Sequence, residues 1–120
     1  MNKKTLVLGA STNPNRYAYT AIQTLHQKKI PVEAVGLKEG EVAGTQIHAA
    51  MIPFEDIHTV TLYVGPANQE SYIDYVISLQ PKRVIFNPGT YNEDFIQKLQ
   101  HKHIQTEVAC TLVLLATNQY

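Results

Sequence analysis

The residues best suited to binding a ligand form a turn of small side chains near the start of the chain: Gly9, Ala10, Ser11 and Thr12. This turn follows an apolar run at residues 6–8 and precedes a segment with helical periodicity. Small residues let the backbone approach a ligand closely, and the N-terminus of a following helix presents unpaired N–H groups to an anion. The pattern predicts a site for the phosphates of a nucleotide, with Arg16 as a further phosphate partner.

The residues after the second predicted strand narrow the class of nucleotide. The first turn has the spacing Gly-x-Ser, whereas common dinucleotide sites have Gly-x-Gly-x-x-Gly. An NAD site also requires an acidic side chain where the second strand ends, but this chain has Gly36, Leu37 and Lys38 there. Because a lysine suits a phosphorylated ribose, these residues disfavour NAD and leave NADP or coenzyme A as ligands.

The composition is that of a soluble globular protein. A chain of 120 residues, 44% of them hydrophobic, fits one domain over residues 1–120. Its formal net charge of zero argues against nucleic acid or a membrane surface as a partner, and no apolar run approaches the roughly 18 residues of a membrane span. A single cysteine, Cys110, excludes an intramolecular disulfide and fits a reducing compartment, so we expect a cytoplasmic location.

Strand and helix patterns alternate along the whole chain. The predicted strands, counted in order, are residues 6–8, 32–35, 46–49 (weakly signalled), 58–64, 83–86 and 104–109. The predicted helices are residues 16–27, 72–77, 95–99 after a cap at Asn92, and 111–116, with a strand as the alternative for the last segment. In the first helix, Tyr17 is expected to share the buried stripe with Ala18, Ala21, Ile22 and Leu25. Residues 36–44 are predicted to form a loop.

This alternation predicts an α/β fold with a doubly wound, mostly parallel Rossmann-like sheet and helices on both faces. The expected strand order is 3-2-1-4-5, possibly continued by strand 6. Ligands of such sheets bind at the carboxyl ends of the strands, near the point where the strand order reverses. The turns expected at that edge add further candidate binding residues, namely Gly65, Pro66, Asn87, Pro88, Gly89 and Cys110.

The opening Val7-Leu8-Gly9-Ala10-Ser11, with Pro14, Arg16 and Tyr17, resembles the start of the small stand-alone coenzyme A-binding domain proteins. These Rossmann-like proteins are related to the N-terminal domain of the succinyl-CoA synthetase α subunit. The resemblance continues through Gly65-Pro66, Asn87-Pro88-Gly89 and Cys110, and so covers essentially the whole chain. It implies that the turn at residues 9–12 holds the pyrophosphate, that Lys38 lies near the adenosine end, and that Pro66 and Gly89 line the cleft.

Two segments depart from the pattern of that family, and both fall at the expected ligand edge. The family commonly has Val-Asn-Pro after the second strand, where this chain has Val35-Gly36-Leu37. It also commonly has a Trp-x-Gln-x-Gly segment, where this chain has Phe86-Asn87-Pro88-Gly89 and no tryptophan at all.

The resemblance and the residues together predict a protein that binds coenzyme A or an acyl-CoA and carries out no chemistry of its own. Ser11 has no evident base beside it, and the pair His101 and His103 falls short of a metal site, so we predict neither catalytic residues nor a metal. Two alternatives stay open. One is a small NADP-dependent oxidoreductase; the other is an interaction protein that has lost its ligand and contacts a protein partner or a second copy through a surface such as residues 111–120.

Overall fold

A computed structural model describes residues 3–120. That part of the chain contains seven strands: β1 (Thr5–Ala10), β2 (Val32–Gly36), β3 (Gly40–Val42), β4 (Thr45–His48), β5 (Thr59–Leu62), β6 (Arg83–Phe86) and β7 (Gln105–Val108). It also contains four α-helices: α1 (Tyr17–Gln27), α2 (Glu70–Ser78), α3 (Glu93–His101) and α4 (Thr111–Ala116). A short 3₁₀ turn at Pro66–Asn68 precedes α2.

The strands form one sheet in the order β3-β4-β2-β1-β5-β6-β7. All neighbouring strands are parallel except β3 and β4, which pair antiparallel. The predicted fold class is therefore confirmed, and the predicted order 3-2-1-4-5-6 corresponds to the six parallel strands. The chain runs from β1 to β2 on one side and crosses to β5 on the other, so the strand order reverses between β1 and β5.

The prediction of a loop over residues 36–44 was wrong, because Gly40–Val42 forms the edge strand β3. The hairpin to β4 turns through Ala43 and Gly44, both of which have positive φ angles, +50° and +81°. Two successive residues with positive φ match the twist of a two-residue hairpin. An alanine rarely adopts this conformation, so the turn has a weak sequence signal.

Helices cover both faces of the sheet because side chains alternate along the buried strands. In β1, Leu6 and Leu8 belong to a core with α2 and α3, whereas Val7 belongs to a second core with α1 and α4. The predicted helix stripe is confirmed for Ala18, Ala21, Ile22 and Leu25, all buried. The expectation for Tyr17 was wrong: this first residue of α1 is 75% exposed.

The helix ends follow from local chemistry. Asn92 caps α3 as predicted, since its side-chain oxygen accepts a hydrogen bond from the Phe95 backbone N–H at 3.2 Å. Helix α1 ends at Gln27, and Lys29 then adopts a positive φ two residues before Pro31. The predicted helix over residues 111–116 is also present, as α4.

Gly9 produces an irregularity at the carboxyl end of β1. Its φ is +95°, and the register between β1 and β2 shifts between Leu8 and Ala10. A Cβ at this position would lie 2.8 Å from the carbonyl carbon and oxygen of Tyr63, which follows β5. Glycine is therefore required here by the backbone conformation and by the neighbouring chain segment, whether or not a ligand is bound.

We expect Gly9→Ala to lower the free energy of unfolding by at least about 2 kcal/mol, because it combines a strained φ with a backbone clash. Urea denaturation followed by circular dichroism measures the change. Gly65→Ala is the matched control: an added Cβ there meets nothing within 4 Å, so its midpoint should stay close to that of the parent protein. Equal stability of the two variants would contradict this account of Gly9.

Candidate functional site

The loops that follow the parallel strands lie together along the carboxyl edge of the sheet. The structure places every candidate binding residue in one of these loops or at the end of the strand before it: Gly9, Ala10, Ser11, Thr12, Arg16, Gly36, Leu37, Lys38, Gly65, Pro66, Asn87, Pro88, Gly89 and Cys110. The reversal of strand order between β1 and β5 lies in the middle of this edge, where ligands of open α/β sheets bind.

The loop between β1 and α1 is built from small polar turns. The Ser11 hydroxyl accepts a hydrogen bond from the Asn13 backbone N–H at 3.0 Å, and the Asn13 side chain accepts one from the Asn15 N–H at 2.9 Å. Helix α1 then begins with Arg16 at its N-cap, without a side-chain cap and without an acidic residue in its first turn. The partial positive charge of this helix end therefore has no carboxylate from the first turn beside it.

The loop after β2 projects an apolar side chain and a cation into solvent. Leu37 is 88% exposed and is followed by the exposed Lys38. In the connection that follows the adjacent strand β1, exposed Arg16 at the N-cap of α1 is followed by Tyr17, also an exposed large side chain. The connections after two neighbouring strands thus each present one cation next to one exposed apolar side chain.

Packing requires a glycine at position 36, as it does at position 9. A Cβ on Gly36 would lie 2.2 Å from the carbonyl oxygen of Ala10. The absence of the Val-Asn-Pro segment at this point is thus accompanied by close packing of β2 against the end of β1. Gly89, by contrast, has open space around it and a φ of +86°, so its glycine serves the backbone turn alone.

The side chain of Asn87 is buried and fully engaged within the protein. Its amide nitrogen donates to the Thr61 hydroxyl at 2.7 Å and to the Leu62 carbonyl at 2.8 Å. Its oxygen accepts from the Thr111 N–H at 2.8 Å. Asn87 therefore joins the ends of β5 and β6 to the start of α4, and its buried side chain stabilises this edge of the sheet.

Gln69 is a residue that sequence reasoning did not single out. It is completely buried, and its amide nitrogen donates to the carbonyls of Val64 and Thr90, both at 2.8 Å. The Asn92 side chain donates to its oxygen at 3.0 Å. Gln69 thereby fixes the loop after β5 against the loop after β6. Nothing in the sequence distinguishes it from an exposed loop glutamine, because two of its three partners, Thr90 and Asn92, lie more than twenty positions away.

Tyr63 is the second such residue. Its hydroxyl is buried without a hydrogen-bond partner in the described chain, and burial raises the pKa of the phenol to about 12. The nearby hydroxyls of Thr61 and Thr111 oppose this pKa shift but do not cancel it. Cys110, half-buried at the N-cap of α4, contributes to raising the pKa of Tyr63 and so lies in the same region.

A concavity of about 420 Å³ lies near the opposite end of the sheet and includes Lys3, Lys28 and Tyr120 in its lining. Residues 3–120 contain no group of three or more metal-ligating side chains. Within the same residues, every helix is too short or too polar to cross a membrane.

Comparison with known proteins agrees with the fold. A family model described as "CoA binding domain" matches residues 3–116 of this chain. No curated protein matches the chain significantly.

Solved structures extend the comparison. A crystal structure of an uncharacterized protein is 45% identical in sequence, with a TM-score of 0.97, and the match covers 100% of this chain and 99% of that one. A hypothetical protein from Pyrococcus horikoshii OT3 is 25% identical, with a TM-score of 0.86 and coverage of 98% and 84%. A Thermus thermophilus protein at 21% identity and a TM-score of 0.86, covering 99% and 91%, shares the fold.

We expect Asn87→Ala to lower the free energy of unfolding by about 2–4 kcal/mol, since it leaves the Thr111 N–H and the Leu62 carbonyl unpaired in the interior. Chemical denaturation of the two proteins measures this difference. Asn68→Ala, at an exposed position in the preceding loop, is the control and should change stability by less than about 0.5 kcal/mol. An Asn87→Ala variant as stable as this control would show that the hydrogen bonds contribute little.

The raised pKa of Tyr63 predicts that the folded protein loses stability at alkaline pH. The pKa of Tyr63 is about 12 in the folded protein, above the usual value near 10. Its contribution to the free energy of unfolding is therefore complete below pH 10 and is lost as the pH rises through 12. Between pH 9 and pH 11, Tyr63→Phe should therefore lose about 1.4 kcal/mol less stability than the parent. Denaturant titrations at both pH values test this, with the exposed Tyr17→Phe as control. Parallel losses in all three proteins would refute the assignment.

Proposed function

The chain belongs to the CoA binding domain family, and on that premise we propose that it is a cytoplasmic protein that binds coenzyme A or an acyl-CoA along the carboxyl edge of the sheet. The family match supports coenzyme A binding in general. The residues that contact the ligand, and the orientation of the ligand, are part of this proposal and follow the resemblance described above.

The observation that carries the proposal is the pair of exposed apolar and cationic side chains beside the reversal of strand order. Leu37 and Lys38 lie on the loop after β2, and Arg16 and Tyr17 lie at the start of α1, in the connection after the adjacent strand β1. A purine ring is flat and apolar and needs such unpacked surfaces, while the phosphates of the same ligand need the cations. We assign the adenosine 3′-phosphate to Lys38 and the pyrophosphate to the loop at residues 9–12 with Arg16.

The remaining loops then receive the pantetheine arm. From the pyrophosphate the arm would run past Pro66 towards Pro88 and Gly89, and these exposed residues leave room for a slender chain. Its thiol end would approach Cys110 at the start of α4. We assign no chemical step to these residues, because the proposal concerns binding alone.

Titration with coenzyme A and dephospho-coenzyme A, followed by calorimetry or thermal shift, tests the proposal. We expect coenzyme A to bind more tightly than the dephospho form, because only coenzyme A carries the 3′-phosphate. Saturation at 100 times the dissociation constant should add about 2.7 kcal/mol to the stability of the folded protein. Stabilisation by NADP instead of coenzyme A would favour the oxidoreductase alternative, and no stabilisation by either would favour the interaction protein.

Lys38→Gln should weaken coenzyme A binding about five- to tenfold and leave dephospho-coenzyme A binding unchanged, because a charge-assisted contact to an exposed phosphate contributes about 1 kcal/mol. Lys29→Gln is the matched control: it also removes one exposed lysine, but at the opposite end of the sheet. Equal weakening by the two variants would attribute the effect to net charge and overturn the assignment of Lys38.

A further inference from the structure

Strand β7 forms one free edge of the sheet. It pairs with β6 in a regular parallel register, and no other strand within residues 3–120 pairs with it. Helix α4 follows β7 but packs through Leu115 into the core that contains α1, so it turns back across the sheet and leaves this edge open. The free edge consists of Gln105, Thr106, Glu107 and Val108.

Alternate residues of β7 direct their backbone groups away from the sheet. The N–H groups of Gln105 and Ala109 donate to carbonyls on the side of β6, both at 3.2 Å. Since the backbone groups of successive strand residues point to opposite sides, the N–H and C=O groups of Thr106 and Val108 face outward. Among residues 3–120 no strand pairs with them. Such a row of unpaired groups is a template for pairing with a strand of another chain.

The strand lacks the features that usually prevent such pairing. Edge strands are commonly protected by lysine, by proline or by a bulge. Residues 105–108 contain neither lysine nor proline, and their register with β6 is uninterrupted. At the end of the strand, Val108 is 63% exposed although its side chain is apolar. The edge therefore offers unpaired backbone groups together with an uncovered apolar side chain.

The side chains of this segment divide between the two faces of the sheet. Ile104, immediately before β7, is buried in the core that contains α3, and a side chain of α3 donates to the Thr106 hydroxyl at 3.2 Å. Because side chains two residues apart along a strand share a face, Val108 lies on this face as well. Gln105 and Glu107 lie on the opposite face.

One antiparallel register suits both the backbone groups and the side chains. When a two-fold axis passes through Thr106, this residue exchanges backbone hydrogen bonds with its counterpart in a second copy, and the Val108 N–H meets the Ile104 carbonyl. The side chains then pair threonine with threonine and valine with isoleucine on one face, and Gln105 with Glu107 on the other. Threonine pairs and apolar pairs stabilise antiparallel strands, and a glutamine amide donates to a carboxylate.

From this complementarity we propose that β7 pairs antiparallel with β7 of a second copy, so that two chains form a dimer with one continuous sheet. The other edge of the sheet does not pair with itself in this way. Strand β3 centres on the exposed Glu41, and a two-fold axis there would place two carboxylates opposite each other. Because only one edge is self-complementary, the assembly closes at two chains.

The interface is small, so the dimer is expected to be weak. The register gives roughly four backbone hydrogen bonds between the two copies. We therefore expect a dissociation constant on the order of 10–100 µM, in keeping with a transient interface. Sedimentation equilibrium of the full chain from about 5 to 500 µM brackets this value.

The charge of residue 105 tests the register. Gln105→Glu should weaken association about three- to tenfold, because it places a carboxylate opposite Glu107 of the second copy. Gln105→Lys should strengthen association, because it places a cation there. Arg83 donates to Glu107 at 3.4 Å, and this partial compensation keeps both effects modest. Gln27→Glu, an exposed position at the end of α1, is the control for the change in net charge and should leave association unchanged.

Disulfide trapping tests the position of the axis. In a Cys110→Ala background, which removes the native thiol, Thr106→Cys should form a crosslinked dimer on oxidation. Its Cα atom would lie about 5.5 Å from its counterpart, a distance that a disulfide spans. Val108→Cys is the matched control on the same edge, because its counterpart would lie about 14 Å away and no disulfide can form. Non-reducing electrophoresis measures the crosslinked fraction, and thermal melts establish that each variant is folded.

Each outcome bears on the pairing of β7 alone, since coenzyme A takes no part in these experiments. A parent chain that stays monomeric over the whole concentration range would overturn the inference. Association that ignores the charge at residue 105, or equal crosslinking of the two cysteine variants, would also overturn it, because the copies would meet through another surface. Species that keep growing beyond two chains would instead indicate head-to-tail pairing of β7 with β3, and would overturn the closed dimer.

Discussion

The side chain of Asn87 provides the interaction on which the carboxyl edge depends. Parallel strands end at this edge with carbonyl and N–H groups that no further strand residue satisfies. Asn87 resolves this for three elements at once, because it donates to Thr61 and Leu62 at the end of β5 and accepts from Thr111 at the start of α4. Gln69 acts in the same way, because it donates to carbonyls of the loops after β5 and β6. The loops proposed to hold the ligand are thus positioned by two buried amides that do not themselves face it.

The sequence predicted the fold well because the fold depends on periodicity. The continuous apolar run at residues 6–8 and the helical spacing of Ala18, Ile22 and Leu25 are local signals, and each was confirmed. Strand β3 was missed because its turn uses Ala43 at a positive φ. The burial of Gln69 and of the Tyr63 hydroxyl depends on partners and neighbours distant in sequence, so no local pattern could have indicated it. The identity of the ligand-contacting residues stays a prediction.

The small residues that drew attention in the sequence have two distinct causes. Gly9 and Gly36 are small because the end of β1 packs against Tyr63 on one side and receives Gly36 on the other, at distances that no Cβ tolerates. Ser11 and Thr12, in contrast, lie in the loop beyond the strand, half-buried and exposed respectively. A glycine-rich turn after a first strand therefore indicates close strand packing as strongly as it indicates a phosphate site. The charged side chains near such a turn distinguish a phosphate site from close strand packing.

A formal net charge of zero conceals an uneven distribution of charge, and this distribution bears on any anionic ligand. Exposed lysines such as Lys28, Lys82 and Lys102 precede strands and so lie at the amino edge of the sheet, while the starts of α2 and α3 carry carboxylates. The protein measures at least 27 Å in every direction, and the screening length at physiological salt is about 8 Å. The basic edge is therefore too distant to attract a ligand to the carboxyl edge. Under the proposed function, affinity there depends on the cations of that edge itself, Arg16 and Lys38.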